Sequence, residues 1–323
     1  MSTPRTALVV GARGGIGGAV ARSLLRHGWR VRGLARRPAG DVPGMEWIAG
    51  DAMDRAAVVR AAQGVQAVIH AVNPPGYRNW GTLVLPMLDN SMAAALAAGA
   101  RLVLPGTVYN FGPDAFADPG EDAPQRPLTR KGAIRVEMER RLRDAVPAGL
   151  RSLVVRAGDY FGPGAASNWF AQGLVGGRRP VRGLTDPGRP GVGHQWAYLP
   201  DVAETIARLL AREDDLDPAA RFHLAGHWDA DGTEMIAAIR RALGRPSLPV
   251  RRFPWWLVSV ARPFVPFCRE MHEMRYLWRM PLRLTNGKLV RFLGDEPHTP
   301  LDVAVAAALG DLKQPLPEQG LCP

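Results

Sequence analysis

Along the first two-thirds of the chain, apolar residues alternate between two rhythms. Short continuous runs read as buried strands: Ala7-Leu8-Val9-Val10, then 30–36, 46–50, 66–71, 101–104 and 150–156. Between them, apolar positions recur three and four residues apart, as at Ile16, Val20 and Leu24, and read as helices. Further helices are predicted over 55–63, over 82–98 with Gly99 as its stop, and over 202–211 behind Pro200-Asp201 as cap. Strands that alternate with helices imply a parallel, doubly wound α/β sheet, whose ligands bind beyond the carboxyl ends of the strands.

The first strand opens into Gly11-Ala12-Arg13-Gly14-Gly15-Ile16-Gly17, and the helix that follows stops near Gly28 before a second strand. This is the spacing of a dinucleotide-binding βαβ unit. Gly11 allows the tight turn, Gly14 lets the backbone approach a pyrophosphate, and Gly17 allows the helix to pack closely. The phosphates then meet the free N–H groups and positive dipole end of the helix. With 36 glycines in the chain the pattern alone is weak, and the flanking strand and helix carry it. At the end of the second strand, where an NAD site places an acid on the ribose, the chain reads Leu34-Ala35-Arg36-Arg37. Arg13 adds a third cation. Guanidinium groups bind a 2′-phosphate in bidentate fashion whereas a carboxylate repels it, so NADP(H) is the expected cofactor. Ile16, Ala52, Ala71 and Asn73 complete the predicted cofactor contacts. Asp51, at the end of the third strand, is placed either on the adenine or as the N-cap of the next helix. The loop 72–76 lies at the cofactor edge.

Composition bounds the remaining choices. The chain has 323 residues and is 46% apolar and 22% charged, which fits a globular protein with a substantial core. Met1-Ser2-Thr3-Pro4-Arg5 leads into the first strand without a signal-type apolar segment, and no apolar run is expected to span a bilayer. Cys268 and Cys322 suggest neither a disulfide framework nor a metal site, and a reducing cytoplasm is the expected compartment. The net charge of +11 raises nucleic acid as a partner, but the arginines are spread without a nucleic-acid motif, so none is expected. A small-molecule substrate is expected, with no integral membrane association; a homodimer is compatible with the chain.

Residues 1–160 are assigned to the dinucleotide-binding (Rossmann) domain, completed by about 195–225, and 161–194 with 226–323 to a smaller substrate-binding or lid region. Tyr160, Asn168 and Trp169 are its candidate substrate contacts. Between 253 and 282 lie Phe253, Trp255, Trp256, Phe264, Phe267, Tyr276 and Trp278. Three readings are open for these aromatics: lid and core packing, the wall of an apolar pocket, or a membrane-surface helix that Pro254, Pro263 and Pro266 interrupt.

Several ordered motifs resemble the extended, epimerase/dehydratase-like branch of the short-chain dehydrogenase/reductase superfamily. They are the glycine turn, Asp51, His70-Ala71-Val72-Asn73, the run from Arg156 to Gly164, and Tyr198-Leu199-Pro200-Asp201-Val202-Ala203. The resemblance implies a Ser or Thr after the fifth strand that polarises the substrate oxygen, here Thr107, and a Tyr-x-x-x-Lys pair that exchanges the proton. That pair is absent. Counting back from Glu139 puts Lys131 and Arg135 in its place; counting from Glu137 puts Thr129 and Ala133 there. The segment Lys131-x-x-Ile134-Arg135-x-x-x-Glu139 is similar to the isoflavone and phenylcoumaran benzylic ether reductases, in which the lysine is the proposed catalytic group. A partly buried lysine near a cationic nicotinamide has a lowered pKa and can exchange a proton near neutrality. The plain alternative is a solvated lysine at a helix start. Thr107, Lys131 and, two residues beyond Thr107, Tyr109 are therefore the catalytic candidates, with no metal. The first expectation is an NADPH-dependent reductase of a carbonyl, conjugated alkene or benzylic carbon in a mostly apolar molecule. A non-catalytic NADP(H)-binding sensor or partner-binding protein, and an epimerase or dehydratase that retains its cofactor, are the alternatives.

Overall fold

The computed structural model describes residues 4–38, 42–74, 79–116, 119–165, 168–177 and 180–312. Pro75 and Gly76 of the predicted cofactor-edge loop, and Cys322, lie outside them. Seven parallel strands form the central sheet: β1 (Thr6–Val10), β2 (Arg30–Ala35), β3 (Met45–Ala49), β4 (Ala67–His70), β5 (Arg101–Pro105), β6 (Arg151–Arg156) and β10 (Ala219–His223). Their order across the sheet is β10-β6-β5-β4-β1-β2-β3, so the chain reverses direction beside β1. That reversal opens the crevice in which such sheets take ligands.

Period-two alternation explains why helices cover both faces. Ala7, Val9, Val103, Leu153 and Val155 point to a core shared with α1 (Gly15–Arg26) and α5 (Leu199–Ala211). Leu8, Val10, Leu102, Leu104 and Val154 point to the opposite core, with α2 (Arg55–Ala61), α3 (Trp80–Ala98) and α4 (Arg130–Asp144). Each fully buried aliphatic side chain contributes roughly 1.5–3 kcal/mol, so a sheet buried on both faces favours the continuous apolar runs seen in the sequence. Contrary to the sequence expectation, one helix among the described residues is long and apolar enough to cross a membrane: α3 has 19 residues and contains an 18-residue stretch of mean hydropathy 1.2. Its Trp80, Val84, Met87, Leu88, Ala94 and Ala95 are buried against the sheet layer, so one face of the helix belongs to the core, and a third of the apolar stretch is buried.

Two helix starts differ from their predicted caps. Asp54, not Asp51, caps α2 by accepting from Ala57 N at 3.1 Å. Asp201 lies inside α5, and its carboxylate accepts from the backbone and hydroxyl of Thr299 instead of capping its own helix.

The remaining chain builds a second layer over the carboxyl edge. Strands β7 (Asp159–Phe161), β9 (His194–Tyr198) and β11 (His227–Asp229) form a small mixed sheet, and β8 (Leu184–Asp186) pairs with β12 (Val250–Arg252). Helix α6 (Glu234–Ala242) and, near the end of the chain, α10 (Leu301–Leu312) share a core with this sheet; α9 (Gly287–Leu293) sends Leu289 into the core of α1 and α5. Between them, α7 (Trp255–Ala261), α8 (Pro266–Glu273) and the 3-10 turn Met274–Trp278 reach back to the loop after β5. There Met274, Leu277, Leu282 and Leu284 form a separate cluster with Val108, Tyr109, Phe111 and Phe116. This apolar contact seats the C-terminal segment against the carboxyl edge of the sheet.

Candidate active site

The turn after β1 has the geometry its glycines predict. Gly11 has a φ of +92°, and a Cβ there would lie 2.6 Å from the backbone of Val72. A Cβ on Gly17 would lie 2.2 Å from the Gly11 carbonyl oxygen, so only glycine lets α1 begin this close to the turn. Gly14 is exposed, with only the Gly11 carbonyl oxygen, at 3.3 Å, near its would-be Cβ. It is the N-cap of α1, and no side chain caps this helix or places an acid in its first turn. The amides of that turn therefore have no side-chain anion of the protein's own. The loop after β7 closes one flank, since a Cβ on Gly15 would lie 2.9 Å from Ala165.

The surrounding predicted contacts occupy one rim. Arg13, Arg36 and Arg37 are exposed, and no side-chain partner holds them among the described residues. Asp51 is exposed and turns one oxygen onto Met53 N at 2.9 Å, while Ala52 is buried. Ile16 and Ala71 are half-buried; Ala71 N donates to Val10 O, which continues the sheet past β4. Asn73 accepts from the Trp80 indole N–H. These residues fit a dinucleotide: an uncapped helix start for the pyrophosphate, a turn that packs too tightly on its own backbone to admit a Cβ at Gly11 or Gly17, and exposed cations at the same edge of the sheet.

Beyond β5, the first turn of α4 meets the loop after that strand. Thr107 caps that loop's 3-10 turn by accepting from Tyr109 N at 3.3 Å, and it is buried. Thr129 caps α4 by accepting from Gly132 N at 3.0 Å. A Cβ on Gly132 would lie 2.3 Å from Tyr109 O, which is how closely the helix meets this loop. Of the two acids that allowed different counts, Glu139 points inward and Glu137 lies on the outer face with Arg140 and Arg141. Burial alone would raise the Glu139 pKa, but paired hydrogen bonds from Arg156 at 2.9 and 2.6 Å hold it below the usual carboxylate range. Asn110 and Gln125 also donate to Glu139, so the loop after β5 is tied to α4 and β6 through one buried network.

This register turns Lys131 inward, with 0% of its surface exposed. Its Nζ donates to the Glu270 carbonyl at 2.6 Å and lies 3.0 Å from the Glu270 carboxylate and 3.9 Å from that of Glu273. Lys131 N also donates to Glu273 at 2.9 Å. Burial disfavours the ammonium and carries its pKa below the ordinary lysine value, against the pull of the two carboxylates. Lys131 is thus neither solvated nor isolated: helix α8 covers it and supplies its counter-charge. Arg135, one turn on, lies over the Trp80 ring at 5.3 Å, and its Nε has no hydrogen-bond partner. Its charge bears on both His70 and Tyr160. Burial, reinforced by Arg135, pushes the His70 pKa down to about 3, so the imidazole at the end of β4 is neutral. Its Nδ1 bonds Ser91 Oγ at 2.8 Å.

The other candidates are placed less directly. Tyr109 O–H donates to Asp159 at 3.4 Å, and the other Asp159 oxygen is 2.9 Å from His194 Nε2. The His194 ring stacks on Trp278 at 3.8 Å. Tyr160 O–H donates to Gly106 O at 2.7 Å, and burial raises its pKa. Asn168 caps the turn Trp169–Leu174, accepting from Ala171 N at 2.7 Å and donating to Ala165 O at 2.8 Å. Trp169 packs with Phe253, Trp255 and Trp278 at centroid distances of 5.2–5.8 Å. Among the described residues no group of His, Cys, Asp and Glu is arranged to hold a metal. Glu270, Glu273 and the Asp159–His194 pair lie outside the set of site residues expected from sequence. The only signal for the first two was that they are the sole acids among seven arginines between 250 and 283.

The fold is similar to several solved structures. MoeE5, solved with UDP-glucose and NAD, is 20% identical with a TM-score of 0.72, covering 95% of this chain and 97% of its own. WbmH of Bordetella bronchiseptica, solved with NAD+, is 20% identical with a TM-score of 0.70, covering 97% and 99%. DesIV of Streptomyces venezuelae, a dTDP-glucose 4,6-dehydratase solved as a double mutant with NAD, is 20% identical with a TM-score of 0.72, covering 96% and 97%. No curated protein gives a significant sequence match. The model of the NAD-dependent epimerase/dehydratase family matches residues 7–225, well over half of the chain. With that match and this fold, the chain belongs to the NAD-dependent epimerase/dehydratase family, within the extended short-chain dehydrogenase/reductase superfamily.

Proposed function

We propose that this member of the family is an NADP(H)-dependent reductase of a carbonyl, conjugated alkene or benzylic carbon in a mostly apolar small molecule. The observation that carries the reading is a buried lysine, Lys131, in the first turn of α4, in a fold whose α1 begins on an uncapped, glycine-lined turn. The NAD in the MoeE5, WbmH and DesIV structures supports a nicotinamide dinucleotide here. Gly11, Gly14, Gly17 and Ile16 would hold its pyrophosphate, Asp51 and Ala52 its adenine, and Ala71, Asn73 and Arg135 the opposite ribose. Arg13, Arg36 and Arg37 favour the 2′-phosphate of NADP(H) over the bare hydroxyl of NAD(H). When bound, the cofactor supplies or takes the hydride.

This chain's own residues then manage orientation and the proton. Thr107 offers a hydroxyl to the substrate oxygen from a loop fixed by the Arg156–Glu139 network. Lys131 gives its Nζ proton to the oxygen on which negative charge develops, and its lowered pKa makes it a stronger acid than a solvated lysine. Glu270 and Glu273 hold the ammonium in place and stabilise its charged form before the transfer. NADPH oxidation against a panel of carbonyls, enones and benzylic ethers tests this, comparing wild type with Lys131→Met. Turnover lowered at least about hundredfold with unchanged NADPH affinity supports the role; equal turnover removes Lys131 from the reaction.

One observation favours a second reading. Lys131 already has a carbonyl and a carboxylate within 3.0 Å, as a purely structural lysine would. A dinucleotide-binding protein without turnover would bind NADPH tightly and oxidise none across the panel. A retained-cofactor epimerase or dehydratase, the activity of DesIV, would instead purify with its dinucleotide bound.

A further inference from the structure

The hairpin of α7 and α8 has two unlike faces. Its inner face carries Trp255, which packs on Trp169, and the Glu270–Lys131 contact. Its outer face exposes six large apolar side chains within twelve residues: Trp256 (67%), Leu257, Val260 (66%), Phe264 (85%), Val265 and Phe267. Single exposed apolar residues are ordinary on a protein surface, but a run of this kind marks a contact with something apolar. Trp256 and Val260 lie one turn apart on the same side of α7, and the chain then turns directly into Phe264. Pro263 and Pro266 lie on either side of that exposed tip, so here the prolines that interrupt a helix help shape a projecting turn.

Charge identifies the occupant. Residues 250–269 contain four arginines and no acid, and Arg251, Arg262 and Arg269 are exposed beside the apolar run. The next two acids, Glu270 and Glu273, are engaged inward by Arg130 and Lys131 and do not offset these cations. We infer that the outer face of the α7–α8 hairpin docks the protein on an anionic lipid surface, its aromatics entering the headgroup boundary and its arginines meeting lipid phosphates. This pairing of an apolar tip with flanking cations is how a peripheral protein holds an interface without spanning it. A second copy of the chain fits less well, because a two-fold contact through this face would bring its arginines against themselves. The inference stands on the surface and not on the reaction proposed above.

Sedimentation of the protein with vesicles tests it, using phosphatidylcholine alone and phosphatidylcholine with one-third phosphatidylglycerol. The wild type is expected to sediment with the anionic vesicles and be released by high salt, as screening of the arginines requires. The doubly substituted Trp256→Glu/Phe264→Glu protein, and separately Arg262→Glu/Arg269→Glu, should each need at least about tenfold more lipid for half-binding. All four side chains are exposed, and melting curves verify that the variants fold. Failure of the wild type to bind anionic vesicles overturns the inference, as does binding that both variants retain. A dimer in analytical ultracentrifugation that Phe264→Glu dissociates also overturns it and assigns the face to self-association.

Discussion

The start of α1 and the start of α4 stand on the same carboxyl edge of one sheet, yet they are finished in opposite ways. Helix α1 begins on glycines, has no side-chain cap and leaves Gly14 exposed. Helix α4 begins under a threonine cap, buries a lysine in its first turn and is covered by two acids from α8. The first presents unfilled positive potential to an anion from outside. The second carries an unfavourable cation at a helix start and brings its own anions to offset it. One start is therefore left open, whereas at the other a lysine is covered and paired within the fold.

Breaking the covered side should cost most. Arg156→Ala leaves the buried Glu139 carboxylate without its main partner, and loss of one member of a buried pair costs about 3–5 kcal/mol, read by chemical denaturation. On the open side, Gly17→Ala forces a Cβ to within 2.2 Å of the Gly11 oxygen, so the turn must shift. We expect NADPH affinity to fall at least about hundredfold, or about 2.7 kcal/mol, by calorimetric titration. If that variant binds as wild type does, the glycine turn is not the phosphate site.

His70 lies between the two starts and adds a pH dependence. It is neutral in the fold, with a pKa lowered from 6.5 to about 3, and so is His223, lowered likewise by burial and then by Arg156. Because the unfolded chain takes up these protons first, the stabilisation is complete above about pH 6.5 and is lost as pH falls toward 3. Each histidine contributes a slope of about 1.4 kcal/mol per pH unit in that window. Melting of wild type and His70→Asn between pH 7 and 4 checks this. The variant should show the shallower loss, and parallel curves would mean that His70 is already charged in the fold.

What was legible in the sequence divides along the same line. The open start was readable because strand, turn and helix are contiguous, and the positive φ of Gly11 and the contact of Gly17 with the Gly11 oxygen are both set within the turn. The alternation of Leu102, Val103 and Leu104, or of Leu153, Val154 and Val155, likewise states locally which sheet face each residue fills. The covered start was not readable, because its partners are remote: Glu270 and Glu273 lie about 140 residues beyond Lys131, and acids read as solvated until a fold brings them to a lysine. The register of α4 depended on whether Glu137 or Glu139 is buried, and that is decided by Arg156 on another element. The aromatics of 253–282 divided for the same reason. Trp255 and Trp278 joined a core, whereas Trp256, Phe264 and Phe267 face outward.

An open anion site beside Arg36 and Arg37 should select a 2′-phosphate, and calorimetric titration of the protein with NADPH and NADH reads that selection directly. NADPH is expected to bind at least about tenfold more tightly, a difference of about 1.4 kcal/mol, and Arg36→Ala/Arg37→Ala should erase this preference by weakening NADPH and not NADH. Equal affinities, or tighter binding of NADH by the wild type, would contradict it.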